Sequence, residues 1–167
     1  MKKFLFLLCV VLSANTFSQN TTNDTLEKVI TRVADTVAGQ SGNWQFAIKD
    51  RLFVCITDEN NNRMRIVSPI TELYNLTEKE LLNSLVANFH TALDVKYAIS
   101  DEVLWSVYIH PLKELQEAQF EDAILQVYNA AETFGTIYSS TNLSFPGNTQ
   151  KKERENTKPK ELKLQKG

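Results

Sequence analysis

The strongest constraint on the fold is a stretch of alternating apolar residues in the first half of the chain. The segment GNWQFAIKDRLFVCITDENNNRMRIVSP, residues 42–69, places apolar side chains at almost every second position. Such alternation is typical of strands with at least one buried face, and the polar groups at Lys49-Asp50 and at residues 58–62 suit the turns between them. The segment therefore predicts a three-stranded antiparallel meander.

Helical spacing of apolar residues flanks this meander on both sides. Residues 24–39 predict a first helix, with Asp24 as its N-cap and Gly39 as its stop. The second helix has a clear start, because Thr77 and Glu80 match a capping box. Its predicted apolar stripe consists of Leu81, Leu82, Leu85, Phe89 and Leu93.

Two further strands and a third helix complete the pattern. VKYAIS and EVLWSVYIH, joined at Ser100-Asp101, predict a hairpin, and Pro111 ends it because proline cannot donate a hydrogen bond into a sheet. Residues 116–138 then show helical spacing. The predicted class is α+β, in the order helix, three-stranded antiparallel meander, helix, β-hairpin, helix. The apolar positions of the third helix are Phe120, Ile124, Val127, Ala131 and Phe134.

The two ends of the chain differ from this domain. Residues 1–18 combine Lys2 and Lys3, a short apolar run and small polar residues, which predicts a secretory signal peptide and no membrane-spanning segment. Cys9 lies inside the apolar run and not after a small residue at its end, which favours plain export over lipidation. Residues 19–138 are then a single domain, and residues 139–167 a disordered, Lys-rich tail. The predicted location is the periplasm or the cell exterior.

Charge and residue types disfavour several functions. Residues 21–148 carry 9 Lys and Arg against 17 Asp and Glu, and such an acidic domain argues against nucleic acid as a partner. His90 and His110 stand in no metal-ligand spacing, and no nucleophile or phosphate-binding motif occurs. We therefore predict no catalytic residues, no metal and no cofactor. An enzyme would need both histidines, or one of them with a carboxylate, to meet in a pocket.

The middle strands are apolar on both faces, although a sheet covered by helices on one side needs only one apolar face. The second face can be covered by one of the chain's own helices, by a second copy in a homodimer, or by another protein. The predicted partner surface consists of Phe53, Cys55, Leu104 and Tyr108 of the sheet and Tyr128 of the last helix.

This order of elements resembles the type III secretion chaperone-like fold and, within it, the YbjN-like proteins. FAIKDRLFVCITDENNNRMRIVSPI resembles the opening strands, LTEKELLNSLVANFHTALDVKYAISDEVLWSVYIHPLKEL the central helix and hairpin, and FEDAILQVYNAAETF the closing helix. The resemblance implies a small domain that often dimerises and binds extended peptide segments. Such chaperones are cytoplasmic, whereas this chain carries a predicted export signal, so the implied protein is an envelope version of such a module.

The leading interpretation is an exported, non-enzymatic domain that binds a peptide or another protein by strand addition or in a groove. The alternative is an envelope protein that binds a small molecule or a lipid between sheet and helices. An enzyme without a recognisable motif is the third reading.

Overall fold

Three α-helices, a short 3-10 helix at Leu73–Asn75 and six strands make up the computed structural model, which describes residues 20–141. The predicted signal peptide and the tail after residue 141 lie outside the described residues. The elements are α1 Asn23–Val33, β1 Thr36–Gln40, β2 Asn43–Ile48, β3 Arg51–Asp58, β4 Arg63–Glu72, α2 Glu78–His90, β5 Lys96–Ser100, β6 Val103–His110 and α3 Glu117–Glu132.

The strands form one antiparallel sheet in the order β1-β2-β3-β4-β6-β5. The predicted α+β class and the order of elements are confirmed, with one strand more than expected. The meander has four strands, because β1 occupies residues that helical spacing had assigned to the end of the first helix.

Helix α1 ends at Val33 and not near Gly39. Val37 lies at helical spacing from Val33, yet it pairs with Phe46 of β2 in the sheet. Gly39 has a φ of 105° and belongs to the β1–β2 hairpin, where an added Cβ would lie 2.3 Å from the Asn43 carbonyl oxygen. Pairing with a neighbouring strand therefore overrides the local helical pattern. The N-cap also differs from the prediction, since Thr22 and not Asp24 occupies it.

The predicted capping box at the start of α2 is confirmed. The Thr77 N–H donates to the Glu80 carboxylate at 2.8 Å, and the Glu80 N–H donates to the Thr77 hydroxyl at 3.3 Å. Hydrogen bonds from the backbone and side chain of Thr77 lower the pKa of Glu80, because they stabilise its charged form.

Helices α1 and α3 pack on one face of the sheet and enclose the core. Two buried hydroxyls attach α3 to the strands, since Tyr97 donates to the Ala130 carbonyl at 2.8 Å and Ser106 to the Val127 carbonyl at 3.0 Å. The largest fully buried side chains include Leu26 and Ile30 of α1, Trp44, Phe46, Phe53, Met64, Ile66 and Leu104 of the sheet, and Phe120 of α3.

Helix α2 lies instead beside the edge strand β5. The Asn88 side chain donates to the Tyr97 carbonyl at 3.1 Å and accepts from the Tyr97 N–H at 2.7 Å. The amide thus replaces a neighbouring strand and protects this edge of the sheet. The opposite edge is β1, whose five residues are all exposed.

The folded part extends slightly past the predicted boundary at residue 138. Ser139 and Ser140 are buried, and the Ser140 N–H donates to the Thr91 carbonyl at 3.2 Å. These contacts return the chain to the end of α2 before it leaves the described residues.

Candidate protein-binding surfaces

Four of the five predicted surface residues lie in the core. Phe53, Cys55, Leu104 and Tyr108 are at most 6% exposed, because their side chains point to the face that α1 and α3 cover. The chain's own helices, and not a second copy or another protein, therefore cover this face of the sheet. The expectation that these four side chains form a free surface is corrected accordingly.

The chemistry of Cys55 follows from this burial. Its thiol is completely shielded, and burial raises its pKa to about 12, because a thiolate in the apolar core would lose its hydration. Cys55 is thus a small apolar core residue in this fold.

Tyr128, the fifth predicted residue, is half-buried and lies in a surface groove. The groove has a volume of about 210 Å³ and is mostly apolar. The Lys49 ammonium lies 5.7 Å from the centre of the Tyr128 ring. Val33, Ile48, Lys49, Glu121, Ile124, Leu125 and Tyr128 line this groove, which we call the α1–α3 groove.

The α1–α3 groove lies next to the start of β1. Val33 ends α1 three residues before β1 begins, and Ile48 ends β2, the strand that pairs with β1. Val37 of β1 is 42% exposed, and its partner Phe46 belongs to the helix-covered face, so the Val37 side chain lies on the same face as the groove.

Two residues of β1 present their backbone groups to the open edge of the sheet. The Thr57 N–H donates to the Gly42 carbonyl at 3.0 Å, which means that even-numbered residues of β2 bond to β3 and odd-numbered ones to β1. The β1 residues opposite those odd-numbered positions bond inward. Val37 and Gly39 lie between them and therefore direct their N–H and C=O outward.

Within residues 20–141, no helix packs on the second face of the sheet. Trp105 and Val107 are half-buried there, and Leu52, Ile56 and Ile109 are 45%, 45% and 56% exposed. We call this surface, formed by β3, β4 and β6, the open sheet face. The sequence predicts such a surface, because the middle strands are apolar on both faces.

A third apolar surface lies on α2. Leu82, Leu85, Val86 and Phe89 are 60%, 65%, 52% and 87% exposed, whereas Ser84 and Ala87 are buried. Most of the predicted apolar stripe thus faces solvent, because small residues fill the inner side of α2 at the edge of the sheet. We call these four exposed residues the α2 face.

The two histidines lie on different elements. His90 ends α2 beside Phe89, and the His110 ring stacks on Tyr108, with its Nδ1 2.7 Å from the Pro111 carbonyl oxygen. Within residues 20–141, no group of three or more His, Cys, Asp or Glu residues is arranged to hold a metal ion. No helix in that range is long and apolar enough to span a membrane.

The comparisons with known proteins give structural matches alone, since no family model and no curated protein matches the chain. The type III secretion chaperone SycH of Yersinia pestis, solved with a stable fragment of YscM2, is 13% identical, with a TM-score of 0.53. The match covers 67% of this chain and 98% of the SycH chain. A structure of the HopA1–SchA chaperone–effector complex matches at 7% identity and a TM-score of 0.52, covering 67% of this chain and 94% of its own.

The fold is therefore that of type III secretion chaperones, as the order of elements predicts. At 13% and 7% identity these matches establish the architecture. They assign no residue of this chain to a function.

Proposed function

We propose that this domain binds an extended segment of another protein without catalysing a reaction. The observation that carries the proposal is the outward-facing backbone of β1 next to the α1–α3 groove. An added strand would bond to the backbone of β1, and the groove would take an apolar side chain of the same segment. Both structural neighbours come from complexes with a protein partner, which supports a protein as the ligand class.

The charge of the groove adds selectivity to this proposal. Lys49 and Glu121 lie on its rim, and Asp35 accepts a hydrogen bond from the Lys49 N–H at 2.8 Å. The half-buried ring of Tyr128 offers an apolar contact beside these charges. A segment with alternating apolar and polar residues fits such a site, because strand addition places every second side chain on the groove face.

The first test is selection from a random library of 12-residue peptides displayed on phage, using the full chain as bait. We expect enriched peptides with alternating apolar residues, whose affinity falls at least about tenfold in Tyr128→Ala and in Val37→Pro. Val37→Pro removes an outward N–H without breaking the β1–β2 ladder. The matched control is Tyr74→Ala, since Tyr74 is an exposed aromatic residue outside both features.

Two results would contradict the proposed site. Peptides that bind all three variants equally well would place binding elsewhere, and a library without binders would remove the support for peptide recognition. Thermal unfolding of each variant shows whether a loss of affinity reflects a loss of folding.

We also propose a second copy of the chain as a partner, on the open sheet face. An exposed, largely apolar surface suits a homodimer interface, and Ile109 is the most exposed apolar residue of this one. Arg65 of β4 lies between Ile56 and Ile109 on the same face. Light scattering after size-exclusion chromatography should show a dimer, and Ile109→Lys should weaken dimerisation at least about tenfold. Ile137→Lys, at an exposed position outside this face, should not. A wild-type chain that stays monomeric at all concentrations would refute the dimer.

The proposal places this binding outside the cytoplasm, because residues 1–18 match an export signal. Mass spectrometry of the exported protein should find Gln19 as its first residue. Replacing Lys2 and Lys3 by Glu should keep the chain uncleaved and inside the cell, whereas Lys151→Glu with Lys152→Glu should leave export unchanged. An uncleaved wild-type chain in the cytoplasm would contradict the export proposal.

A further inference from the structure

The α2 face is an apolar surface of unusual exposure for a helix. Its four residues recur at the spacing of one helix side, and Phe89, in the last turn, is 87% exposed. Within the described residues the inner side of α2 already contacts the sheet edge through Asn88. The outward side therefore calls for a separate cover.

The chain leaves the described residues at the C-terminal end of this same helix. Thr91 follows α2 directly, and its hydroxyl donates to the Tyr138 carbonyl at 2.5 Å. Its carbonyl accepts from the Ser140 N–H at 3.2 Å. The described part of the chain thus ends beside the C-terminal end of α2.

The next residues of the sequence match the α2 face in composition and spacing. The segment 142–150, NLSFPGNTQ, holds two large apolar residues, Leu143 and Phe145. In an extended chain these two side chains point to the same side and lie about 7 Å apart. Along α2, Phe89 and Leu82 are seven residues or about 10 Å apart. An extended segment of residues 142–145 is long enough to span this distance.

We propose that residues 142–147 pack along α2 of the same chain, with Leu143 and Phe145 on the α2 face. Pro146-Gly147 then turns the chain away, and the Lys-rich remainder stays outside the contact. This contact is independent of the proposed peptide site on β1.

Hydrogen exchange of α2 in the full chain tests the proposal. In the double variant Leu143→Ser with Phe145→Ser, backbone exchange in residues 78–90 should be about fivefold to tenfold faster than in the wild type. The matched control is Leu162→Ser with Leu164→Ser, which removes two apolar residues further along the same tail. The control should exchange like the wild type, and both results should be independent of protein concentration.

Disulfide trapping then identifies which chain supplies the cover. Val86→Cys with Phe145→Cys, in a Cys9→Ser background, should form a disulfide within one chain, since Cys55 is buried. A disulfide between two chains would overturn the intramolecular contact in favour of an exchanged tail. Equal exchange in wild type and double variant would overturn the cover altogether. Equal exchange with protection that rises with concentration would instead assign the α2 face to a second copy.

Discussion

Replacing Phe53 by alanine is expected to lower the free energy of unfolding by about 3–5 kcal/mol. The Phe53 side chain is fully buried, and its ring stacks on Phe46 with a centroid distance of 5.1 Å. Alanine would remove the ring and leave a cavity between the sheet and the helices. Urea unfolding of the wild type and of Phe53→Ala measures the difference in the free energy of unfolding, provided that both proteins show the same m-value.

The neighbouring residue supplies the control for this experiment. Leu52 lies next to Phe53 in β3 but points to the open sheet face and is 45% exposed. Leu52→Ala should cost about 1 kcal/mol or less in the monomer, because only part of its surface leaves water on folding. Equal losses in the two variants would mean that the helices do not cover the face assigned to them. The comparison also separates a core role of Phe53 from the partner role that the sequence predicted for it.

Cys55 is expected to react with a thiol reagent at pH 8 at least about a thousandfold more slowly in the native protein than in the urea-unfolded chain. An ordinary thiol has a pKa near 8.5, so a pKa of about 12 lowers the thiolate fraction at pH 8 by roughly this factor. Burial adds to the effect, since the reagent cannot reach the sulfur. The measurement uses a Cys9→Ser chain, in which Cys55 is the single cysteine.

A cysteine on the opposite face of the same strand serves as the matched control. Ile56→Cys, in a chain without Cys9 and Cys55, should react at nearly the unfolded rate, because Ile56 is 45% exposed. Rapid labelling of native Cys55 would show that the helix-covered face opens to solvent. Labelling that becomes about a hundredfold faster or more in Phe53→Ala would show that the thiol is reached by unfolding.

The pKa of Cys55 also has a consequence for stability at high pH. The unfolded chain releases the thiol proton above pH 8.5 or so, while the folded chain keeps it up to about pH 12. The unfolded state therefore binds fewer protons in this window, and the free energy of unfolding falls as the pH rises through it. Cys55→Ala should remove this part of the alkaline loss.

Local signals in the sequence were sufficient for most of the fold. The alternation in residues 42–69 predicts β2, β3 and β4, and Thr77 with Glu80 predicts the start of α2, because both signals act over a few residues. They failed at β1. There Val37 continues the helical spacing of α1, and the pairing with Phe46 comes from another strand.

The candidate surfaces were less predictable for a related reason. A strand that is apolar on both faces does not reveal which face the helices take, so Phe53 and Leu104 were expected on a surface that they do not form. Tyr128, the fifth expected residue, does line a groove, where it is half-buried. The exposure of Phe89 had no signal in the sequence, because an apolar stripe looks the same whether it is covered or not.

The sequence by itself determined the three helices and five of the six strands, since periodicity and capping are properties of neighbouring residues. The order of these elements resembles the chaperone-like fold. The tertiary structure alone decided which sheet face is closed, which edge is open and which helix keeps its apolar side in solvent. Those outcomes depend on contacts between residues far apart in the chain, such as Tyr97 with Ala130 and Ser106 with Val127, which join the sheet to α3. Packing decides them, because an apolar side chain is stabilised equally by any surface that removes it from water.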